Sequence, residues 1–247
     1  PTFSTPENPH RFLTIIYNLG RLAIDEVVND NKRVITFSPI LRERIGHHIH
    51  GERWALDIKD KLYERGLLNR SIHIISANMH SVMNTLFAEK AIGDQFKGQS
   101  RFEIYEVLSN ESSEALQNQV FDTAQEHGMY YIEDRSGTNI NVQIFDTAKL
   151  PNAKEIFKGK KKEEIPVIVV MDYAFGEQAF ETMDELLRPY KIGDVNKPLR
   201  VDSVSIMGKA GILEGGKGDI MIPSAHVFEG TADNYPFENE ISPAALA

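Results

Sequence analysis

The sequence predicts an α/β fold with a mostly parallel sheet and helices on both faces. Short β-branched runs alternate with helical patterns along most of the 247 residues. The run IPVIVVM at residues 165–171 is nearly continuous in apolar residues, which is typical of a strand buried on both sides. The hydrophobic fraction of 41% is enough for one large domain or two small ones. We therefore expect helices to cover a buried sheet.

The predicted helices show apolar residues at helical spacing. Gly66, Gly128 and Pro189 mark the ends of three of them, because glycine ends helices and proline cannot continue them. The pattern predicts helices over residues 11–28, 40–66, 79–92, 111–128 and 177–189.

The predicted strands are short runs rich in β-branched and aromatic residues. They cover residues 33–39, 71–78, 101–109, 165–176, 201–208 and 218–228. Residues 129–147 predict two more strands joined by a turn at Ser136–Gly137. That turn, with Arg135, Ser136 and Thr138, is predicted as a hairpin tip, and phosphate contact is the alternative.

The chain divides by composition into three segments. Residues 1–30 form a helical segment, residues 31–160 an α/β region and residues 161–247 a second α/β region. The softest boundary is the polar, lysine-rich stretch at 149–164, and the basic run Lys158–Lys162 within it is interpreted as a solvated loop. We expect the last two segments to share one sheet.

Composition excludes several classes of function. The net charge of -9 argues against a nucleic-acid partner, because binding phosphates requires clustered lysine and arginine. The chain has no cysteine, so disulfides and thiolate chemistry are excluded. No apolar run approaches the roughly 18 residues that span a bilayer, so we expect no membrane partner and a cytoplasmic location. The missing initiator methionine predicts a longer or processed gene product.

No metal site is expected. His47 and His50 are three apart on a predicted helix, but no HExxH pattern is present, and an exposed helix face is the preferred interpretation. Asn78, His80 and Ser81 follow a strand at the start of a helix. Capping is the preferred role there, and ligand contact is the alternative.

Three loops follow predicted strands where open α/β sheets bind ligands. The first, DYAFGEQ at residues 172–178, precedes a helix whose amides and dipole suit an anion. The second, GKAGILEGGKGD, begins at Gly208, and the third, FEGTADNYPF, contains carboxylates and a hydroxyl beside aromatic rings. For each loop, an ordinary turn is the alternative to a ligand site.

Two long segments, read in order, favour a ligand site over ordinary turns. VIVVMDYAFGEQAFETMDELLRP and VSIMGKAGILEGGKGDIMIPSAHVFEGTADNYPF resemble the nucleoside phosphorylase and nucleosidase superfamily, and the bacterial AMP nucleosidases are the most similar branch. The resemblance covers residues 165–240 and rests on G-x-x-G-x-L, GD-(I/V)-x-(I/L)-P and a Glu-Gly-Thr segment. Residues 33–146 resemble an uncharacterised bacterial family.

The resemblance implies a three-layer nucleoside phosphorylase-like architecture and a purine nucleoside or nucleotide as the bound small molecule. It implies that phosphate lies against Gly176, Glu177 and Gln178, with phosphate as a candidate co-substrate and no other cofactor. It implies a homo-oligomer. The nucleoside would contact Gly208, Lys209, Ala210, Gly211, Glu229, Gly230, Thr231, Asp233 and Tyr235.

The chain also departs from the family pattern. Ile212 replaces a family glycine, and Ala210 replaces a cysteine. The later family segment, with a Met-Glu pair for the ribose hydroxyls, has no counterpart before Ala247. Catalytic residues are therefore unassigned. Three functions remain open: cleavage of the N-glycosidic bond, nucleotide binding or sensing without chemistry, and a structural assembly role.

Overall fold

The computed structural model describes residues 11–31, 48–208, 213–216, 219–227 and 236–241. Side chains in these ranges are described except at residues 11–15, 48, 111, 177, 226–227 and 236–237. The strand predicted over residues 33–39 and the start of the helix predicted over 40–66 therefore lie outside the described residues.

The chain forms two compact units. Unit 1 consists of Pro1–Leu68, Ile132–Asn139 and Ala174–Leu199. Unit 2 consists of Asn69–Tyr131, Ile140–Tyr173 and Arg200–Ala247.

Seven α-helices lie in the part of the chain that the structure describes. They are α1 (Arg11–Asn29), α2 (His48–Glu64), α3 (Met79–Ile92), α4 (Arg101–Leu108), α5 (Glu114–Glu126), α6 (Ala153–Ile156) and α7 (Glu177–Leu187). Apart from α4 and the short α6, they confirm the helices predicted from the sequence. None of the described helices is long and apolar enough to cross a membrane.

Within the described ranges, the strands form three sheets. They are β1 (Ser71–Ser76), β2 (Met129–Ile132), β3 (Val142–Asp146), β4 (Val167–Met171), β5 (Tyr190–Ile192), β6 (Val195–Lys197), β7 (Arg200–Ile206), β8 (Ala225–Val227) and β9 (Pro236–Glu238). The main sheet has the order β2-β3-β4-β1-β7, and β5-β6 and β8-β9 form two-stranded sheets.

The centre of the main sheet is parallel, as predicted. β1 pairs in parallel with both β4 and β7, whereas β3 pairs antiparallel with β4. Its strands come from both sides of residue 160, the boundary suggested by composition. The observed class is a mixed α/β fold with a mostly parallel core.

One face of this sheet carries a hydrophobic core of unit 2. Helix α3 packs against α5, and the two cover β3 and β4. Phe87 and Phe145 stack with ring centroids 6.0 Å apart, and Val120 and Val170 are fully buried beside them. Burial of such large side chains contributes about 1.5–3 kcal/mol each, so this layer fixes the sheet.

The strand predicted over residues 101–109 is wrong, because these residues form α4. A capping box begins the helix: Ser100 Oγ accepts from Glu103 N, and Glu103 Oε2 accepts from Ser100 N. Ile104 and Leu108, four residues apart, are buried together, whereas Phe102 is 85% exposed. A strand would place Phe102 and Ile104 on the same face, so the burial pattern follows helical spacing.

Two further details differ from the predicted strands. Within the predicted strand 218–228, the described residues pair as a strand only at Ala225–Val227. The hairpin of β5 and β6 was not predicted, although Gly193 between them adopts a left-handed φ of 59°. Its strands are three residues long, which is too short for a period-two signal.

In unit 1, α2 packs against α7 through a close approach and a buried lysine. An added Cβ at Gly51 would lie 3.6 Å from the backbone oxygen of Glu181. Lys59 is buried, and its Nζ donates to the backbone oxygen of Glu185 at 2.7 Å. Burial lowers the pKa of Lys59 because it disfavours the charged form, and the nearby Glu185 carboxylate partly opposes this shift.

The phenol of Tyr190 in unit 1 should titrate with a pKa of about 12 instead of its usual 10.0. Its hydroxyl donates to Asp60 Oδ1, and this hydrogen bond, burial and the Asp60 charge all favour the protonated form. The stabilising contribution is therefore complete below the unfolded value near 10.0 and is lost as pH rises through about 12.

NMR titration of ring-labelled tyrosine would measure this shift, with Tyr190→Phe assigning the signal. Asp60→Ala should return the pKa of Tyr190 towards 10.0. An unchanged titration in Asp60→Ala would contradict the assigned cause.

Candidate functional site

Three parallel strands of unit 2 end at one edge of the sheet, which we call the carboxyl edge. Pairing continues one residue past each strand: Ala77 N donates to Met171 O at 3.1 Å, and Met207 N donates to Ser76 O at 2.9 Å. These bonds hold the departing loops at the same level. Open α/β sheets bind ligands at this edge.

The loop that follows β1 at the carboxyl edge leads into α3. Asn78 Oδ1 accepts from His80 N at 2.9 Å and caps the helix, which confirms the predicted role of Asn78. Both Asn78 and His80 are exposed. Asn78 engages two amides of the first turn, because Ser81 N also donates to its backbone oxygen at 3.0 Å. What the helix presents at the edge is therefore the positive end of its dipole, which favours an anion.

The loops that follow β4 and β7 lie beside each other at the carboxyl edge. Asp172 Oδ1 accepts from Tyr173 N at 2.8 Å, and both side chains are half-buried. An added Cβ at Gly208 would lie 3.9 Å from Tyr173 Cε1, so the aromatic ring stands next to this exposed glycine. A ring beside bare backbone can flank a planar ligand group while the glycine permits its close approach.

Two buried acceptors belong to the elements near this edge. Gln143 lies one residue inside the edge on β3, paired with Val170. Its Oε1 and the Oδ1 of Asn84 on α3 are buried and have no hydrogen-bond partner within the described ranges. Such atoms are rare in native proteins, and an internal water or another donor can satisfy them.

The structure places Gly208 at the carboxyl edge, as the sequence predicts. The other predicted nucleoside contacts lie outside the described residues. They are Lys209, Ala210, Gly211, Glu229, Gly230, Thr231, Asp233 and Tyr235. Their role stays a prediction. Tyr173 was not singled out from the sequence, and its position directly after the most apolar strand is the signal that could have found it.

The predicted phosphate contacts belong to unit 1. Gly176 precedes α7 with a left-handed φ of 57°, a conformation that glycine adopts without strain, and Glu177 is the first residue of the helix. Gln178 Nε2 donates to the backbone oxygen of Thr138 at 2.6 Å, so its amide is already engaged. Phosphate binding at Gly176, Glu177 and Gln178 stays a prediction.

The loop between β2 and β3 is organised by Asp134. Its carboxylate accepts from Ser136 N, Ser136 Oγ, Gly137 N and Asn139 N at 2.6–3.2 Å. Burial alone raises the pKa of Asp134, but these hydrogen bonds outweigh it and lower the pKa. Because Asp134 uses the backbone amides of this loop, they are not available to an external anion.

This loop joins the neighbouring strands β2 and β3, as the predicted hairpin tip does, but part of it is buried. Ser136 and Thr138 are buried, and His50 Nδ1 lies 2.7 Å from the backbone oxygen of Ser136. An added Cβ at Gly137 would come within 2.9 Å of that histidine nitrogen. His50 therefore has a packing role in unit 1, whereas His47 lies outside the described residues.

The opposite, amino edge of the main sheet carries a cleft of about 340 Å³. Five charged side chains of both signs line it and all five are exposed, which confirms that the lysine-rich run is solvated. The lining residues are Ser71, His73, Lys160, Glu163, Glu164, Pro166, Arg200 and Asp202. The carboxyl edge is the better candidate, because ligands of open α/β sheets bind there.

No metal site is apparent in the described ranges. Nowhere among them do three or more histidine, aspartate or glutamate side chains cluster in a way that could hold a metal ion. The groups available at the carboxyl edge are an aromatic ring, a carboxylate, the positive dipole end of a helix and a histidine. These groups suit an organic ligand with a planar part and polar substituents.

Comparison with known protein families identifies a match over the second part of the chain. Residues 101–247, more than half of the chain, match a family of unknown function, DUF6909. The chain belongs to this family. No curated protein and no solved structure matches the chain. The DUF6909 region includes Asp172, Tyr173 and Gly208, whereas β1 and α3 lie before it.

Proposed function

We propose that this DUF6909 protein binds a purine nucleoside or nucleotide at the carboxyl edge, in an architecture of the nucleoside phosphorylase kind. One observation carries the proposal. The two sequence segments that resemble that superfamily leave parallel strands at the same edge, β4 into Asp172–Tyr173 and β7 into Gly208, and the ring of Tyr173 lies beside Gly208.

The residues at the edge suit the parts of a nucleoside. The face of Tyr173 can flank a purine ring, since aromatic rings stack with about 0.5–1.5 kcal/mol beyond burial of area. Gly208 lets a sugar approach the backbone, and the positive dipole end of α3 favours a phosphate group nearby. The resemblance adds Lys209, Ala210 and Gly211 beside the sugar.

The resemblance also implies the chemistry. Cleavage of a purine N-glycosidic bond passes through an oxocarbenium-like state, so a site must hold the sugar and assist departure of the base. A general acid that protonates the base contributes about a hundredfold to ten-thousandfold. On this proposal Glu229, Thr231, Asp233 and Tyr235 lie near the base or a 5′ group, and phosphate or water attacks the sugar.

Base release tests the function directly. The chain is incubated with AMP, adenosine, inosine and guanosine, with and without phosphate, and free base is resolved by chromatography. Release that requires phosphate indicates phosphorolysis, and release without phosphate indicates hydrolysis. Calorimetric titration with the same compounds separates a binding protein from an enzyme. The proposal fails if none of the four compounds binds.

Gly208→Val tests the location of the site. The added side chain would meet Tyr173 Cε1 at ordinary contact distance, so we expect normal folding but nucleoside binding weakened by about tenfold or more. The matched control is Gly93→Val at the far end of α3, where an added Cβ also meets a side-chain atom, Glu89 Cγ, at 3.6 Å. Equal loss in both variants would place the ligand elsewhere.

A further inference from the structure

From Ile16 onwards, helix α1 leaves most of its apolar surface in water. It is 19 residues long, which corresponds to about 28 Å. Seven of its large apolar side chains are between 38% and 84% exposed. They are Ile16, Tyr17, Leu19, Leu22, Ile24, Val27 and Val28. Single exposed apolar residues are ordinary, but a whole helix face of them marks an interaction surface.

The middle of this surface has helical spacing. Residues three and four apart on a helix share a face, and one face of α1 is made of non-polar residues alone. We call it the central face. It consists of Ile16, Tyr17, Gly20, Ala23, Ile24 and Val27. The opposite side of α1 carries Asn18 and Asp25, and Asp25 Oδ1 accepts from Asn29 Nδ2 at 2.8 Å along that polar side. Arg21 lies at the border, where its guanidinium carbon is 5.9 Å from the ring centroid of Tyr17.

Gly20 is the central residue of α1 and of the central face. Glycine in a helix interior is less favourable than alanine, so we expect a contact that requires a glycine here. An added Cβ at Gly20 would meet no atom within 4 Å, which means that nothing described in the chain requires a small residue there. A helix crossing at Gly20 would require one, because small residues allow close backbone approach.

The central face is self-complementary about Gly20. Ile16 and Ile24 lie four residues on either side of it, and Tyr17 and Ala23 lie three on either side. If two copies of α1 cross antiparallel with a two-fold axis at Gly20, Ile16 of each copy faces Ile24 of the other. The large Tyr17 then faces the small Ala23, and isologous contacts of this kind generate closed dimers.

Charge favours a second copy over a membrane surface. Helix α1 carries two arginines, Arg11 and Arg21, and two acids, Asp25 and Glu26, so it has no net charge. Helices that lie on membranes usually have a lysine- or arginine-rich polar face. Antiparallel packing places the two helix dipoles in opposite directions, which is favourable. It also brings the C-terminal end of one helix, with Asp25 and Glu26, alongside the N-terminal end of the other, which begins at Arg11.

We propose that α1 is a homodimerisation helix, which pairs antiparallel with α1 of a second copy across the central face, with Gly20 at the crossing point.

Sedimentation of the full chain over a wide concentration range tests the pairing. We expect a monomer–dimer equilibrium that Ile24→Asp weakens by about tenfold or more, since it buries a charge at the interface. The matched control, Asn18→Asp on the polar side of α1, should leave the equilibrium unchanged. A chain that stays monomeric, or a dimer weakened equally by both variants, would overturn the proposal.

Gly20→Leu separates association from helix stability. The substitution raises the helix propensity of α1, so circular dichroism should show equal or greater helicity. Association should nevertheless weaken, because leucine prevents close approach at the crossing. Stronger association in Gly20→Leu would contradict the crossing at Gly20.

Cysteine cross-linking tests the direction of the pair, and the natural chain offers a clean background because it has no cysteine. Gly20→Cys should form an intermolecular disulfide across the two-fold axis. A mixture of Ile16→Cys and Ile24→Cys chains should cross-link to each other, whereas Ile16→Cys alone should not. Cross-linking of Ile16→Cys with itself would indicate a parallel pair, and binding of a monomer to lipid vesicles through this face would indicate a membrane surface. Either result would refute the proposal.

Discussion

Arg70→Leu should lower the free energy of unfolding by about 3–5 kcal/mol, because it removes the buried cation of Asp146 and leaves that carboxylate with the more distant, half-exposed Lys149, whose Nζ lies 4.0 Å from Oδ2. Arg70 and Asp146 are both buried, and Arg70 NH1 donates to Asp146 Oδ1 at 2.6 Å. The guanidinium also donates to the backbone oxygens of Ile165 at 2.6 Å and Pro166 at 3.0 Å. One side chain thus joins the start of β1, the end of β3 and the approach to β4.

The chain offers a matched control in Arg101, whose NH2 donates to Glu89 Oε2 at 2.8 Å with both side chains at least 70% exposed. Exposed pairs contribute about 0–1 kcal/mol, so Arg101→Leu should be nearly neutral. Urea unfolding of both variants measures the difference. Similar losses in the two would show that burial is not what makes the Arg70 pair matter.

The double variant Arg70→Leu with Asp146→Leu sharpens the interpretation. Replacing both partners of a buried ion pair by apolar residues is often much less harmful than removing one. We therefore expect the double variant to recover part of the stability lost in Arg70→Leu. If it is less stable than Arg70→Leu by a further equal amount, the two residues act independently.

The centre of the sheet could be predicted because its signal is local. Residues 165–171 are almost continuously apolar, and the strand of Val167–Met171 lies where this run predicts it. Helix α3 has the predicted bounds, Met79–Ile92, because Asn78 and the apolar spacing both indicate its start. Patterns confined to one element survive folding when the tertiary contacts agree with them.

The features that the sequence did not predict correctly depend either on competing local signals or on contacts between residues that are distant in the sequence. Residues 101–108 have the aromatic and β-branched composition of a strand, but the capping box at Ser100 and Glu103 selects the helix. The pair of Arg70 and Asp146 is 76 residues apart, and no periodicity in a single sequence reports such a contact. The contact of His50 with the backbone oxygen of Ser136, 86 residues away, is equally distant in the sequence.

The sequence could predict which residues of the candidate site follow the ends of strands, but not which of them contact each other. Sequence reasoning placed Gly208 after a strand, and the parallel pairing of β1 with β4 and β7 brings that position to the carboxyl edge. It could not place the ring of Tyr173 beside Gly208, because that contact depends on the register of β1 against two different strands. A register shift between Ile72 and His73 in the pairing of β1 with β7 has no sequence signature.

The buried corner around Asp146 also explains why α5 must end in glycine. Gly128 has a left-handed φ of 95°, and its backbone oxygen accepts from Asp146 N at 2.9 Å. An added Cβ would come within 2.8 Å of Lys149 Cβ and 3.2 Å of the backbone oxygen of Asp146. The helix end predicted from the sequence is therefore also a packing position.

Gly128→Ala should cost more than a left-handed alanine alone. The left-handed backbone contributes about 1–3 kcal/mol and overlap with packed atoms about 1–3 kcal/mol, so we expect a loss of about 2–6 kcal/mol in urea unfolding. Gly159→Ala is the matched control, because Gly159 has a left-handed φ of 80° but nothing within 4 Å of an added Cβ. It should show the backbone cost without the overlap. Equal losses in the two variants would mean that Lys149 and Asp146 move aside, and the corner that Arg70 holds would then be less rigid than its buried hydrogen bonds indicate.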